Sequence, residues 1–150
     1  MASIQDLMLA AIAEARKAPQ HGDVPVGCVV VRGTEVIGRG RNRREETGDP
    51  LAHAEMLALR EAARALGGWR LDGCDLYVTL EPCPMCAGAM VQARIRRLFF
   101  GVRDFKAGAA GSVFDLVRDP RLPHRLEVLD GICEEECRAL LSGFFEERRG

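Results

Sequence analysis

Two short segments hold residues whose types and spacing could do chemistry together: His53-Ala54-Glu55 and Pro82-Cys83-Pro84-Met85-Cys86. One imidazole and two thiolates form a soft donor set that suits tetrahedral zinc. Cys-x-x-Cys brings two sulfurs to one ion within a single turn of chain. If that turn opens a helix, the free N–H groups and the helix dipole stabilise both thiolates. Pro84 fits such a turn, because proline is tolerated at the start of a helix. Three protein ligands leave a fourth position for water, whose pKa zinc lowers to about 7. Glu55 stands two residues from His53, near enough to face the metal without ligating it. A carboxylate there can take a proton from the water and hand it to a leaving group. The chemistry so defined is hydrolytic deamination of a C–NH2 group on a heteroaromatic ring.

Two other readings use part of the same set. A structural zinc site needs a fourth protein ligand, which His124 or a remaining cysteine would supply. Spacing singles out none of them, and the His-x-Glu pair then has no role. A redox Cys-x-x-Cys has no need of a distant His-Ala-Glu. Cys28 and Cys74 fall in apolar strands and read as core. Cys133 and Cys137 lie four apart on one helix face and read as small buried side chains.

The elements that must position these residues alternate between helix and strand, which favours an α/β layer fold. Ile4, Leu7, Met8, Ala11, Ile12 and Ala15 recur at helical spacing. Val26 to Val31 and Glu35 to Gly40 read as a hairpin turning at Gly33-Thr34. Arg41 to Leu51 reads as a loop, followed by a helix from about Ala52 to Leu66 that Gly67-Gly68 ends. A strand at Leu76 to Leu80, a helix at Pro84 to Ala93 and a strand at Arg97 to Val102 follow. Their order implies crossovers and parallel pairing in the centre of the sheet. Lys106 to Ser112 is a glycine-rich loop, with a short helix near Phe114. Leu126 to Leu129 reads as a fifth strand and Cys133 to Phe145 as a final helix.

Composition sets the outer limits. The 150 residues, 47% apolar and 29% charged, suit one globular domain spanning 1–150. Apolar runs such as Leu7 to Ala13 fall far short of the roughly 20 residues a membrane span needs. Asp6 and Glu14 interrupt the N-terminal stretch, so no signal peptide is expected. The expected compartment is the reducing cytoplasm, with the cysteines unbridged. A net charge of −1 argues against holding long nucleic acid by a global basic field. A local patch stays open, with Arg94, Arg96 and Arg97, or Arg103 and Lys106, as its candidates. Helix exit and solvated charge are the plain readings of those groups.

The pattern His-x-Glu followed by Pro-Cys-x-x-Cys is an established signature of zinc deaminases. The order of elements resembles the cytidine deaminase-like fold, a three-layer α/β/α arrangement with a central mixed five-stranded sheet. Along almost its whole length the chain resembles the bacterial tRNA-specific adenosine deaminases. Val24-Pro25-Val26-Gly27, Arg41-Asn42-Arg43, Ala52-His53-Ala54-Glu55 and Tyr77 to Cys86 carry the likeness. So do Arg103-Asp104, Gly108 to Ser112 and Phe144-Phe145. The resemblance implies deamination of the wobble adenosine of a tRNA anticodon to inosine, chiefly in an arginine tRNA with an ACG anticodon. It implies one zinc per subunit on His53, Cys83 and Cys86, with Glu55 shuttling protons. Asn42 would hydrogen-bond the flipped adenine, and the Ala54 N–H and the Val26-Gly27 region would line its pocket. Asp104 would touch the neighbouring sugar, and Phe145 and Arg149 the loop bases and backbone. A homodimer with sites near its interface is implied too.

Each contact residue also has a plain reading. Asn42 could shape the loop, Asp104 a turn, and the two phenylalanines the core, although adjacent helical residues face about 100° apart. Met85, Met90, Val91 and Ile95 could serve core or dimer interface. Glu146-Glu147, where relatives are basic or apolar, and the absence of a longer basic tail after Arg148-Arg149 would weaken attraction to phosphate. Glu81 to Cys86 suits the free guanine deaminases equally well. A non-enzymatic zinc module is the third possibility. No lid sequence is apparent, which favours the tRNA reading over a free nucleobase.

Overall fold

Strand alternation sorts the apolar side chains onto two faces, and the helices divide accordingly. The computed structural model describes residues 2–149, with the side chain of Arg149 outside that description. Ten elements matter for the site. They are α1 (Ile4–Ala15), β1 (Gly27–Arg32), β2 (Glu35–Arg41), α2 (Arg44–Thr47) and α3 (Ala54–Leu66), followed by β3 (Cys74–Leu80), α4 (Pro84–Ala93), β4 (Arg97–Val102), β5 (Glu127–Leu129) and α5 (Glu134–Arg149). The sheet order is β2-β1-β3-β4-β5. Cys28, Val30, Leu76, Val78, Leu98 and Phe100 pack against α3 and α4 on one face. Val29, Val31, Tyr77 and Phe99 pack against α1 and α5 on the other. The result is the expected three-layer α/β/α arrangement around a mixed five-stranded sheet.

The pairing has a physical logic. β1 runs antiparallel to both β2 and β3, so the crossover through α3 passes over β1 rather than joining neighbours. Parallel pairing is confined to β3–β4 and β4–β5. The outer helices approach the sheet very closely where it carries glycine. A Cβ at Gly27 would collide with the backbone of α1 at Ala11 and Ala15. At Gly38 and Gly40 it would collide with the carbonyls of Ala58 and Ala54. The backbone of α3 therefore lies directly on β2, which fixes where the N-terminus of α3 emerges.

Helix starts are local where the sequence is legible. Ser3 caps α1 in a reciprocal box with Asp6. Where the sequence suggested only loop, α2 forms because Asp23, buried and 22 residues upstream, accepts the backbone N–H groups of Glu45 and Glu46 at 2.6 and 3.1 Å. The short helix expected near Phe114 lies slightly later, as a 3-10 turn at Leu116–Arg118. The last helix continues past Phe145 to Arg149. Met90, Val91 and Ile95 are core residues, and only Met85 of that group stays partly exposed.

Arg96 and Arg97 close on a buried acid. Both chelate the buried Asp75 through paired N–H donors at 2.7 to 3.1 Å. Asp75 and Arg97 are also register partners between β3 and β4. Burial pushes the Asp75 carboxyl up, but the hydrogen bonds from Arg97 and Arg96 outweigh it and the net shift is downward. A carboxyl depressed in the folded state adds stability above its unfolded pKa and loses it as pH falls through the folded value. Asp75→Asn should cost about 1–3 kcal/mol at pH 7, discounted because both guanidinium groups are partly solvated. In urea titrations the gap from the unmodified protein should narrow only below about pH 4. A gap that stays constant down to pH 3 would remove the charge from this account.

Candidate active site

Two helix N-termini meet at one end of the sheet, and each presents a candidate metal ligand as its cap residue. His53 is the N-cap of α3 and Cys83 the N-cap of α4, both with extended backbone and no side-chain capping bond. Pro84 occupies the first helical position and Cys86 lies one turn in, as the Cys-Pro-x-Cys spacing predicts. His53 Nδ1 stands 3.6 Å from Cys83 Sγ and 3.5 Å from Cys86 Sγ. Tetrahedral zinc, with bonds of about 2.3 Å to sulfur and 2.0–2.1 Å to nitrogen, separates such atoms by about 3.5 Å. The donors are thus already spaced for the ion. Among the described residues, no other histidine, cysteine or carboxylate joins this group. His124, the candidate fourth ligand, instead engages the Ile95 carbonyl at 2.7 Å. The three-ligand set with an open position is the catalytic type.

Electrostatics around the triad follow from burial and from the shared proton. The hydrogen bond from Cys86 holds the Cys83 thiol down to about 4, and the same contact pushes Cys86 up. His53 is raised, chiefly by its contact with Cys83. Glu55 is buried behind the histidine. Desolvation, with the Cys83 charge adding to it, lifts its carboxyl to about 7. That value lies near neutral pH, where one group can both accept and donate a proton.

A cavity of about 250 Å3 opens onto the triad. His53, Ala54, Glu55 and Cys83 line it together with Val24, Val26, Asn42, Arg44, Leu80, Glu81, Asp104 and Ala107. The site residues Val26, Asn42, Ala54 and Asp104 therefore converge with the ligands and Glu55. Asn42 is held by three contacts. Its Nδ2 donates to Val24 O at 3.2 Å, its backbone N–H to Val26 O, and its Oδ1 accepts from Arg44 N. Asp104 does shape a turn, since Oδ1 accepts from the N–H groups of Lys106 and Ala107. Phe145 is not part of the cavity. It stands on α5, 47% exposed, edge-on to the buried Phe144, so the adjacent phenylalanines divide between core and surface. Arg149 lies on the same helix, its side chain outside the described residues.

Three residues in or beside the cavity were given no role from the sequence. Arg44 lines the cavity mouth as an exposed cation with no ion-pair partner among the described residues. Phe105, beside Asp104, is 76% exposed, an aromatic face free to stack on a planar ring. The third is Glu81. Its carboxylate is buried, yet it accepts the N–H groups of Asp104 at 2.9 Å, Ala110 at 3.0 Å and Ser112 at 3.1 Å, and the Ser112 hydroxyl. Gly108 packs so closely on this carboxylate that a Cβ would overlap it. Glu81 thereby draws the whole 104–112 loop against the ligand-bearing segment, and Ala109 N adds a bond to Pro82 O. Burial raises the Glu81 carboxyl, but the Ser112 hydroxyl and the backbone donors outweigh it and leave it depressed.

Cap-positioned His/Cys/Cys ligands, a buried glutamate and an open pocket on an α/β/α sandwich define a zinc-dependent deaminase of the cytidine deaminase-like fold. Comparison with known proteins agrees. The model of the cytidine and deoxycytidylate deaminase zinc-binding region matches residues 1–102. A protein of Bacillus subtilis named tRNA-specific adenosine deaminase is 51% identical over 142 residues, 95% of this chain and 88% of its own. A solved structure from work on A-to-I editing by tRNA:A34 deaminases is 46% identical with a TM-score of 0.86, covering 90% of this chain and 98% of that one. A guanine deaminase structure from Nitrosomonas europaea is 25% identical with a TM-score of 0.78, over 96% of this chain and 85% of that one. The chain belongs to the cytidine and deoxycytidylate deaminase family, among its tRNA-specific adenosine deaminases.

Glu81→Gln sets an amide donor against backbone donors. It should cost about 1–3 kcal/mol, or about 2–4 °C of Tm per kcal/mol for a chain of this size. Limited proteolysis should cut within 104–112 before global unfolding. A loop that stays protected in the variant would mean Glu81 does not hold it.

Proposed function

We propose that this protein deaminates the wobble adenosine of a tRNA anticodon to inosine, with an arginine tRNA of ACG anticodon as its main substrate. The observation that carries the reading is the 51% identity to a tRNA-specific adenosine deaminase across 95% of the chain, twice the identity to the guanine deaminase structure. The cavity fits the chemistry. It is large enough for one extruded base and is rimmed by Asn42, Asp104 and Arg44. A base in an anticodon loop is already unpaired, so extruding it costs less than from a duplex.

The residues take these roles. His53, Cys83 and Cys86 hold one zinc ion, which when bound supplies a water activated at neutral pH. Asn42 offers an amide to the adenine edge, while its bonds to Val24 and Arg44 fix its orientation. The N–H of Ala54, at the first position of α3, and Val26 line the base pocket. Glu55 takes one proton from the water as the water oxygen bonds to C6, and delivers it to N1 of adenine. It then carries the second water proton from the new C6 hydroxyl to the amino group, the C6–N bond breaks, C6=O forms and ammonia leaves. Asp104 contacts the adjoining sugar through Oδ2, Phe105 and Phe145 stack on loop bases, and Arg44 and Arg149 face phosphate. The whole chain acts as a single domain in the cytoplasm, and none of its described helices is long and apolar enough to cross a membrane.

A homodimer completes the reading. Between α3 and α4, Met56, Leu59, Ala63, Leu71, Ala89 and Ala93 line an apolar groove edged by Trp69, itself 62% exposed. An exposed tryptophan on such a groove suits a protein interface. The helices beside it begin at His53 and Cys83, which supports a site near that interface. Sedimentation at micromolar concentration should return twice the 16.4 kDa chain mass; a monomer would count against the dimer.

The deciding assay runs zinc-loaded protein in parallel on an ACG-anticodon arginine tRNA and on free guanine. Inosine should form at the wobble position only, and Glu55→Gln should keep its zinc and lose turnover by about 100-fold or more. Guanine turnover with untouched tRNA would move the protein to the free-base branch, and near-normal activity of Glu55→Gln would end its proton-transfer role.

A further inference from the structure

A second concave surface lies directly behind the wall of the active-site cavity. It is a groove of about 490 Å3 along the free edge of β2, lined by Arg39, Arg41, Arg43, Arg60 and Arg64, with Glu14 and Glu61 as its acids. Two elements build it. Gly38 and Gly40 turn their open faces to α3, so alternation sends Arg39 and Arg41 to the opposite face of this edge strand, the face that carries Glu14 of α1. Arg60 and Arg64 stand one turn apart on α3 and project over the same edge. Glu14 pairs with Lys17 at 3.0 Å. Arg41 and Arg43 share one carboxylate, that of Glu46, at 3.0 and 2.9 Å, and the Nε of each lacks a partner among the described residues. Arg39, Arg60 and Arg64 have no ion pair among those residues. The groove therefore carries uncompensated positive charge on a chain whose net charge is −1.

Its position relates it to the cavity. Residues 41–44 form a common wall. Asn42 and Arg44 line the base pocket on one side, and Arg41 and Arg43 line the groove on the other. We propose that this groove holds backbone phosphates of the same RNA whose unpaired base enters the pocket. The inference rests on the tRNA reading above and adds where the rest of the strand goes. Arginine suits the task, since its planar fork meets phosphate oxygens in pairs. The simpler role for these side chains is to blunt an edge strand against pairing with another chain. That role needs charge but predicts no coupling to RNA.

Counterion release separates the two. Binding of the wobble-adenosine tRNA to zinc-loaded protein would be measured by anisotropy across about 50 to 300 mM salt. Arg39→Gln/Arg64→Gln removes two charges from the groove. Arg60 stays in place, because it also lines the apolar groove. Arg121→Gln/Arg125→Gln removes two exposed charges near β5, at the opposite sheet edge. The groove variant should lower the slope of log affinity against log salt by about 1.4–1.8, and weaken binding on the order of tenfold near 0.15 M. The control should keep the slope of the unmodified protein, and Arg39→Lys/Arg64→Lys should restore it. A groove variant with an unchanged slope, in a protein that still edits tRNA, would overturn the groove and leave the function standing. An unmodified protein that neither binds nor edits tRNA would overturn both. Equal loss of slope in the control would overturn the groove by showing that net charge alone sets affinity.

Discussion

The structure depends on one separation: an imidazole nitrogen held about 3.5 Å from two sulfurs. His53 and Cys83 stand thirty positions apart in the chain, and neither side chain can find the other by local structure. What sets the distance is the seating of two helices. α3 is placed by glycines in β2 that admit its carbonyls into direct contact with the sheet. α4 is placed by the parallel crossover between β3 and β4. Because each ligand-bearing cap ends a helix whose opposite face is buried, a shift in either layer would pull the donors apart. The apolar core is in this sense the second coordination shell, holding in place what the metal would otherwise have to gather.

The same economy governs the substrate side. The cavity wall at 104–112 is a loop with little apolar anchorage of its own beyond Ala109 and Ala110. It is held by a single buried carboxylate that satisfies three backbone donors and a hydroxyl. A buried anion is costly unless its lone pairs are filled, and here they are filled by the loop it organises. Glu81 thus ties loop order to the strand end that leads into the zinc ligands. Asp23 does the equivalent on the other side, capping α2 and setting the stretch that carries Asn42 and Arg44. Two buried acids outside the His53, Cys83, Cys86 and Glu55 group shape both walls of the pocket.

That division explains what was legible in the sequence. The grouping of His53, Cys83 and Cys86 beside Glu55, and the helices that open on them, could be read directly, because the His-x-Glu and Cys-x-x-Cys spacings and proline at a helix start are local signals. The sheet could be read in its strands but only partly in its pairing, since the antiparallel seat of β1 between β2 and β3 is a long-range choice. α2 was missed because its cap comes from Asp23, far upstream. Glu81 was visible as part of a motif, but its work consists of bonds to residues 23 to 31 positions away. Arg96 and Arg97 looked like a surface patch until Asp75 was found beneath them.

The two arginine clusters show why position outweighs composition here. Arg96 and Arg97 sit at the start of β4 and close on one buried acid, so their donors are largely engaged by Asp75. The reacting groups lie at the other end of the central strands, beyond Leu80 and Val102. Along the β2 edge beside that end, arginines outnumber the acids that line the groove with them. A nearly neutral chain can therefore present a positive surface to an anionic partner without a global field. What it gives up is long-range steering; what it keeps is attraction confined to the side where a strand could lie with its base in the pocket.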